Sequence, residues 1–133
     1  MSAAGACLCG GVRFSVRGAL RPVIACHCTQ CRRWSGGYVM ATEARTADLV
    51  FAADATLAWY ASSAEAERGF CRRCGSVLFW RRTTGDRTHV SILAGALDPP
   101  TGLRLDHHIF VADKPDFYDI TDGLPRHAGW PAA

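Results

Sequence analysis

Hydrophobic and polar residues alternate cleanly over residues 11–17, with Val12, Phe14 and Val16 on one side and Arg13, Ser15 and Arg17 on the other. A period of two over this length marks a half-buried strand. Residues 20–25, 38–42, 56–60, 77–82, 89–94 and 108–112 are rich in β-branched and aromatic side chains and read as further strands. Turn-forming groups separate them, namely Ser35-Gly36-Gly37, Thr84-Gly85-Asp86, Asp98-Pro99-Pro100 and Asp122-Gly123. Helical signal is poor, with room for a short turn of helix at 29–34 and another at 43–48. Many short strands between frequent turns predict an antiparallel all-β domain. With no repeat, low-complexity stretch or linker in view, a single domain is expected over residues 1–133.

Composition changes this picture little. An apolar content of 49% is that of a globular chain, and no run approaches the ~18 apolar residues of a membrane span. The start, MSAAGACLCGG, has neither the basic nor the apolar region of a secretory signal. A cytoplasmic, reducing location is therefore expected, where clustered thiols more often bind metal than form disulfides.

Cysteine placement changes it a great deal. All seven cysteines fall into three groups: Cys7 and Cys9, then Cys26, Cys28 and Cys31, then Cys71 and Cys74. An odd number would strand one thiol in a disulfide framework, whereas one four-thiolate and one three-thiolate metal site use every one. In Cys71-Arg72-Arg73-Cys74-Gly75 the glycine suits the positive φ that such a ligand turn favours after its second cysteine. Cys9-Gly10-Gly11 repeats the arrangement. Pairing the first group with the third gives a four-cysteine site that would staple the N-terminal strand to the middle of the sheet.

The middle group offers three ligands in six residues and no fourth cysteine. Three protein ligands with one exchangeable position is the pattern of catalytic zinc. An iron–sulfur cluster also takes cysteine ligands and stays open at this point. Haem attachment does not, because Arg32 follows Cys31 where histidine is required. Seven thiolates against two divalent ions would bring the formal charge of +3 to neutrality, which weakens the net-charge argument for nucleic acid and leaves such a partner a third and weaker option.

Five histidines are alternatives for closing the three-cysteine site. His27 lies between two ligands, where coordination is awkward, and His108 is the first to inspect, although a satisfied or solvent-facing histidine is the ordinary reading. Arg32 and Arg33 either offset anionic thiolates or grip a substrate carboxylate by bidentate bonding. Trp34, Trp59, Trp80 and Phe110 read as core aromatics rather than a platform for bases.

Taken together and in order, these stretches resemble the glutathione-dependent formaldehyde-activating enzyme family, which includes the centromere protein V type of domain. The resemblance is carried by Cys7-Leu8-Cys9-Gly10-Gly11-Val12-Arg13-Phe14, by Cys26-His27-Cys28-Thr29-Gln30-Cys31-Arg32-Arg33-Trp34-Ser35-Gly36, by Gly69-Phe70-Cys71-Arg72-Arg73-Cys74-Gly75-Ser76 and by His108-Ile109-Phe110-Val111. The tail Tyr118-Asp119-Ile120-Thr121-Asp122-Gly123-Leu124-Pro125 is similar to the family ending. The resemblance implies a β-tent fold of the Mss-four type, with a structural zinc on Cys7, Cys9, Cys71 and Cys74. It also implies a second, open zinc on Cys26, Cys28 and Cys31, where a carbon–sulfur lyase or synthase would join a small aldehyde, formaldehyde, to a small thiol, glutathione. The rival expectation is a non-catalytic, zinc-stapled module that binds a thiol ligand or a protein partner.

Overall fold

A computed structural model describes residues 3–131 as a mainly β molecule built on two sheets. The strands are β1 (Ala3–Ala6), β2 (Arg13–Val16), β3 (Val23–Cys26), β4 (Val39–Arg45), β5 (Leu49–Ala53), β6 (Leu57–Ala61), β7 (Ala66–Cys71), β8 (Val77–Arg82), β9 (His89–Leu93) and β10 (Leu105–Ile109). One short helix, α1 (Thr29–Ser35), follows β3. The small sheet runs β1-β2-β5, and the large sheet runs β10-β3-β4-β9-β8-β7-β6.

The alternation read over residues 11–17 holds. Val12, Phe14 and Val16 are buried, and they pack toward Phe79, Leu78, Ile92, Val90 and Ala44 of the large sheet. Phe79 is the centre of this layer. Its ring meets Phe14 at 5.1 Å between centroids and Phe51 at 5.7 Å, both edge-on, so three strands of two sheets converge on one side chain.

Every described strand pairing is antiparallel but one. The exception to the expected antiparallel pattern is β10, which lies parallel to β3 at the sheet edge. The long connection between these strands permits the parallel crossover. The helix expected at 43–48 is corrected. The chain stays extended through Arg45 because Ala41–Arg45 pair with β9, and only Thr46–Asp48 form a single 3-10 turn. Pairing and burial of Thr42 and Ala44 outweigh the local helix preference of Glu and Ala. The strand expected at 108–112 sits at 105–109 instead, and β1, β5 and β7 were not anticipated.

Alternation gives the large sheet two different faces. Thr42, Ala44, Val90, Ile92 and Phe79 point into the layer between the sheets. Ala41, Glu43, Ser91, Leu93, Trp80 and Arg68 stand on the other face and line a cleft. The first face makes the core, and the second is left for chemistry.

Replacing Phe79 by alanine should cost about 3–5 kcal/mol, the range for deleting a fully buried aromatic ring. Urea unfolding of the wild type and of Phe79→Ala measures it, and a loss below about 1 kcal/mol would contradict a core centred on this ring.

Candidate metal centres and the cleft between the sheet and helix

Two groups of thiols converge. Cys7, Cys9, Cys71 and Cys74 form one, and Cys26, Cys28 and Cys31 the other, with all sulfurs of a group within 4.8 Å of one another. None of the seven is in a disulfide. The first group joins the turn after β1 to the turn after β7, so it ties the small sheet to the large one. Gly10 (φ 78°) and Gly75 (φ 79°) occupy the left-handed region directly after Cys9 and Cys74, as the ligand turns require.

The donor set fits a tetrahedral ion. Thiolates about 2.3 Å from a central zinc define sulfur–sulfur edges of about 3.8 Å. The Cys7–Cys9 and Cys9–Cys71 sulfurs stand 3.7 Å apart. Donors surround these sulfurs: Val12 N–H to Cys7 at 3.2 Å, Arg73 Nε–H to Cys9 at 3.3 Å and Cys74 N–H to Cys71 at 3.5 Å. The Ser76 hydroxyl, 3.2 Å from the Cys74 sulfur, brings that thiol down to about 5. Cys71 and Cys74 are thus both lowered, Cys71 chiefly by the Thr56 hydroxyl, whereas burial pushes the Cys7 thiol up.

The three-cysteine group is assembled by the end of β3 and the start of α1. Cys26 closes the strand, Cys28 caps the helix, and its sulfur accepts the Cys31 N–H at 3.3 Å. Hydrogen bonds from Cys26 and Cys31 hold the Cys28 thiol down at about 2, while the same contacts push Cys26 up. Among the described residues no fourth cysteine, histidine or carboxylate joins this group.

The histidines do not close it. His27 and His108 are 1% and 3% exposed, and both nitrogens of each ring are engaged. His108 Nε2 stands 2.8 Å from Asp122 Oδ2, His108 Nδ1 2.9 Å from His27 Nε2, and His27 Nδ1 2.6 Å from the Tyr118 hydroxyl. A carboxylate only accepts, so His108 donates to Asp122, His27 donates to His108, and Tyr118 donates to His27. Burial lowers the His27 pKa to about 4, so its ring is neutral at pH 7. This chain pins the residue that lies between Cys26 and Cys28 in sequence. Asp122 and Tyr118 come from the tail, whose place in the site only the fold reveals.

Arg32 and Arg33 lie on α1, but neither lines the cleft that opens onto the three thiols. Arg32 is half-buried near Tyr118, and Arg33 is exposed. The arginine that does reach the thiols is Arg68 of β7, 5% exposed. Its Nη1 lies 3.6 Å from Cys31 Sγ, its Nη2 donates to Gln30 Oε1 at 3.3 Å, and its guanidinium lies 5.0 Å from the Trp34 ring centre. Its Nε–H has no partner among the described residues. Trp34 and Trp80 are cleft walls rather than interior packing, and Phe110 joins them. Nothing near Arg68 in the sequence marks it, because β7 brings it to Cys31 across 37 residues.

Breaking the histidine chain with His108→Ala should lower the affinity of the three-cysteine group for zinc about 10–100-fold and spare the four-cysteine group. Competition with a chromogenic chelator, read as two separate release phases, measures both affinities. An equal loss at the two sites would indicate general unfolding instead.

Comparison with known proteins supplies the lineage. The family model for the glutathione-dependent formaldehyde-activating enzyme matches residues 2–113. An uncharacterized lyase of Schizosaccharomyces pombe is 30% identical over 118 residues, covering 89% of this chain and 85% of that protein. A Halomonas elongata protein, named as a candidate glutathione-dependent formaldehyde-activating enzyme, is 33% identical over 129 residues, covering 87% of this chain and 79% of its own. A Rhodobacter sphaeroides protein of known crystal structure superposes with a TM-score of 0.61 at 27% identity, over 77% of this chain and 92% of that one. With two thiol groups arranged for metal and a family match over most of its length, the chain belongs to the glutathione-dependent formaldehyde-activating enzyme family.

Proposed function

We propose that the protein is a zinc-dependent carbon–sulfur lyase or synthase acting on a thiol–aldehyde adduct, with glutathione and formaldehyde as the pair its family suggests. The observation that carries this reading is the three-thiol group at the end of a cleft, with no fourth protein ligand among the described residues. A zinc ion held by Cys26, Cys28 and Cys31 would supply Lewis acidity that deprotonates an incoming thiol near neutral pH.

The residues around it have definable tasks. The Tyr118–His27–His108–Asp122 chain braces the backbone between Cys26 and Cys28, the residues that, with Cys31, would hold the ion where the cleft reaches them. The Arg68 guanidinium at Cys31 spreads the charge of that sulfur and sets a fixed positive group beside the reacting carbon. Arg32 and Arg33, on α1 outside the cleft, would hold the carboxylates of a peptide thiol whose sulfur reaches in. The four-cysteine group, remote from the cleft walls, serves the fold.

Exchange NMR with glutathione and an aldehyde tests the reaction. Wild type should exceed the uncatalysed rate, and Cys28→Ser should fall back to it, while its far-UV spectrum is unchanged. A wild-type rate equal to the uncatalysed one would leave a zinc-stapled module that binds a thiol or partner without turnover.

Metal loss should follow acid in a defined direction. Protons compete with zinc for thiolates, so lowering the pH releases metal and removes the folding energy it contributes. Zinc measured after dialysis should fall from two ions per chain toward zero as the solution becomes strongly acidic, in step with loss of thermal stability. Full retention in strong acid would contradict thiolate ligation.

A further inference from the structure

The cleft beside Cys26, Cys28 and Cys31 is larger and more apolar than a one-carbon aldehyde requires. Its volume is about 450 Å3, within the range of about 300–1,000 Å3 typical of small-molecule sites. An apolar cavity of about 150 Å3 already accepts a benzene ring. The room is made on the sheet itself. Ala41 lies opposite Leu93 and Ser91 lies opposite Trp80, so small side chains sit in the middle of the open face with large ones beside them. Trp34, Trp80, Phe110 and Trp130 supply flat walls.

One of those walls is held under strain. Phe110 has φ 56°, and it is the one positive-φ residue other than glycine among the described residues. An aromatic residue keeps this conformation only when its surroundings impose it, and such strain collects at ligand clamps. Here it sets the Phe110 ring edge-on to Trp130 at 5.1 Å, along the cleft wall.

Charge argues in the same direction. The cleft is lined by two guanidinium groups, Arg21 and Arg68, and two carboxylates, Glu43 and Asp113. Arg21 is paired with Glu43 at 3.5 Å, and Arg68 is engaged by Gln30, Cys31 and Trp34. Arg68 has no carboxylate partner and keeps an unpartnered Nε–H among the described residues, but the four formal charges sum to zero, so the lining carries no net positive charge for a peptide's carboxylates. It suits an uncharged, flat, apolar group.

We propose that the cleft receives a flat apolar substituent carried by the aldehyde, so that the reacting carbonyl is that of an arylalkyl or similar aldehyde rather than formaldehyde. This rests on the thiol–aldehyde reading of the same site. The charged body of the thiol stays outside the cleft, on the side of Arg32 and Arg33. In the step, the sulfur electron pair forms the new carbon–sulfur bond and the carbonyl π pair moves to oxygen. The thiol proton ends on that oxygen, and nothing is oxidised or reduced.

Two independent readouts test the proposal on the zinc-loaded protein. 2-Phenylethanol keeps the ring and the carbinol of such an adduct but cannot react. It should quench tryptophan fluorescence saturably and bind at least tenfold tighter than ethanol. Ala41→Phe and Ser91→Leu, which fill the cleft from two strands, should each weaken that binding at least tenfold, with far-UV spectra confirming that the variant used is folded. In exchange NMR with glutathione, phenylacetaldehyde should be accelerated over its own uncatalysed rate at least tenfold more than formaldehyde. Absence of saturable 2-phenylethanol binding, or binding unchanged in a folded filled variant, overturns the proposal. A gain seen only with 2-phenylethanethiol and formaldehyde also overturns it, by moving the apolar group to the thiol. Acceleration of neither aldehyde, together with cleft-dependent 2-phenylethanol binding, removes the reaction assigned above and supports the apolar ligand class of the cleft.

Discussion

Sulfur atoms brought together from distant parts of the chain are the constraint on which this structure turns. Four thiols at tetrahedral spacing cannot all ionise beside one another without a shared cation, because like charges at such distances repel strongly. Once they share one, the turn after β1 and the turn after β7 become a single rigid corner. Backbone amides, Arg73 and Ser76 already point at these sulfurs, so the corner is shaped around thiolate charge. In a molecule of this size such a cross-link would add to what one modest core supplies.

The rest follows from the large sheet having two unequal faces. One face is closed by Phe14, Val12 and Val16 of the small sheet and becomes the interior. The other is covered only along its margins by α1 and the segments around Phe110 and Trp130, which leaves a cleft rather than a second core. The three-thiol group sits where that cleft meets the sheet edge, at the end of β3. The same strand alternation therefore supplies both stability and a place for a ligand.

The buried histidine chain shows how a tail can act on a site it does not line. Asp122 anchors His108, which anchors His27, which lies between two sulfurs of the three-thiol group. Each link consumes a nitrogen that would otherwise be free to bind metal. Histidine here braces the three-thiol group without joining it, and among the described residues no histidine enters that group.

Local patterns in the chain determined a good part of this. The alternation at 11–17, the strand at 77–82, the short helix after Cys28 and the division of cysteines into four and three are all written in spacing and residue type, because each depends on near neighbours. Weak segments were not legible. Ala-Ala-Gly-Ala at 3–6 has little strand preference and is extended because β2 pairs with it, and Glu43-Ala44 reads as helix until β9 claims it. Tertiary structure alone decided which sheet face would be covered, that Arg68 and not a neighbouring arginine pair would stand against Cys31, and that Tyr118 would bond His27 while Asp122 bonds His108. Those outcomes depend on how strands far apart in sequence are ordered side by side. Period-two alternation announces that a strand has two faces, but only packing against another layer selects the one that stays open.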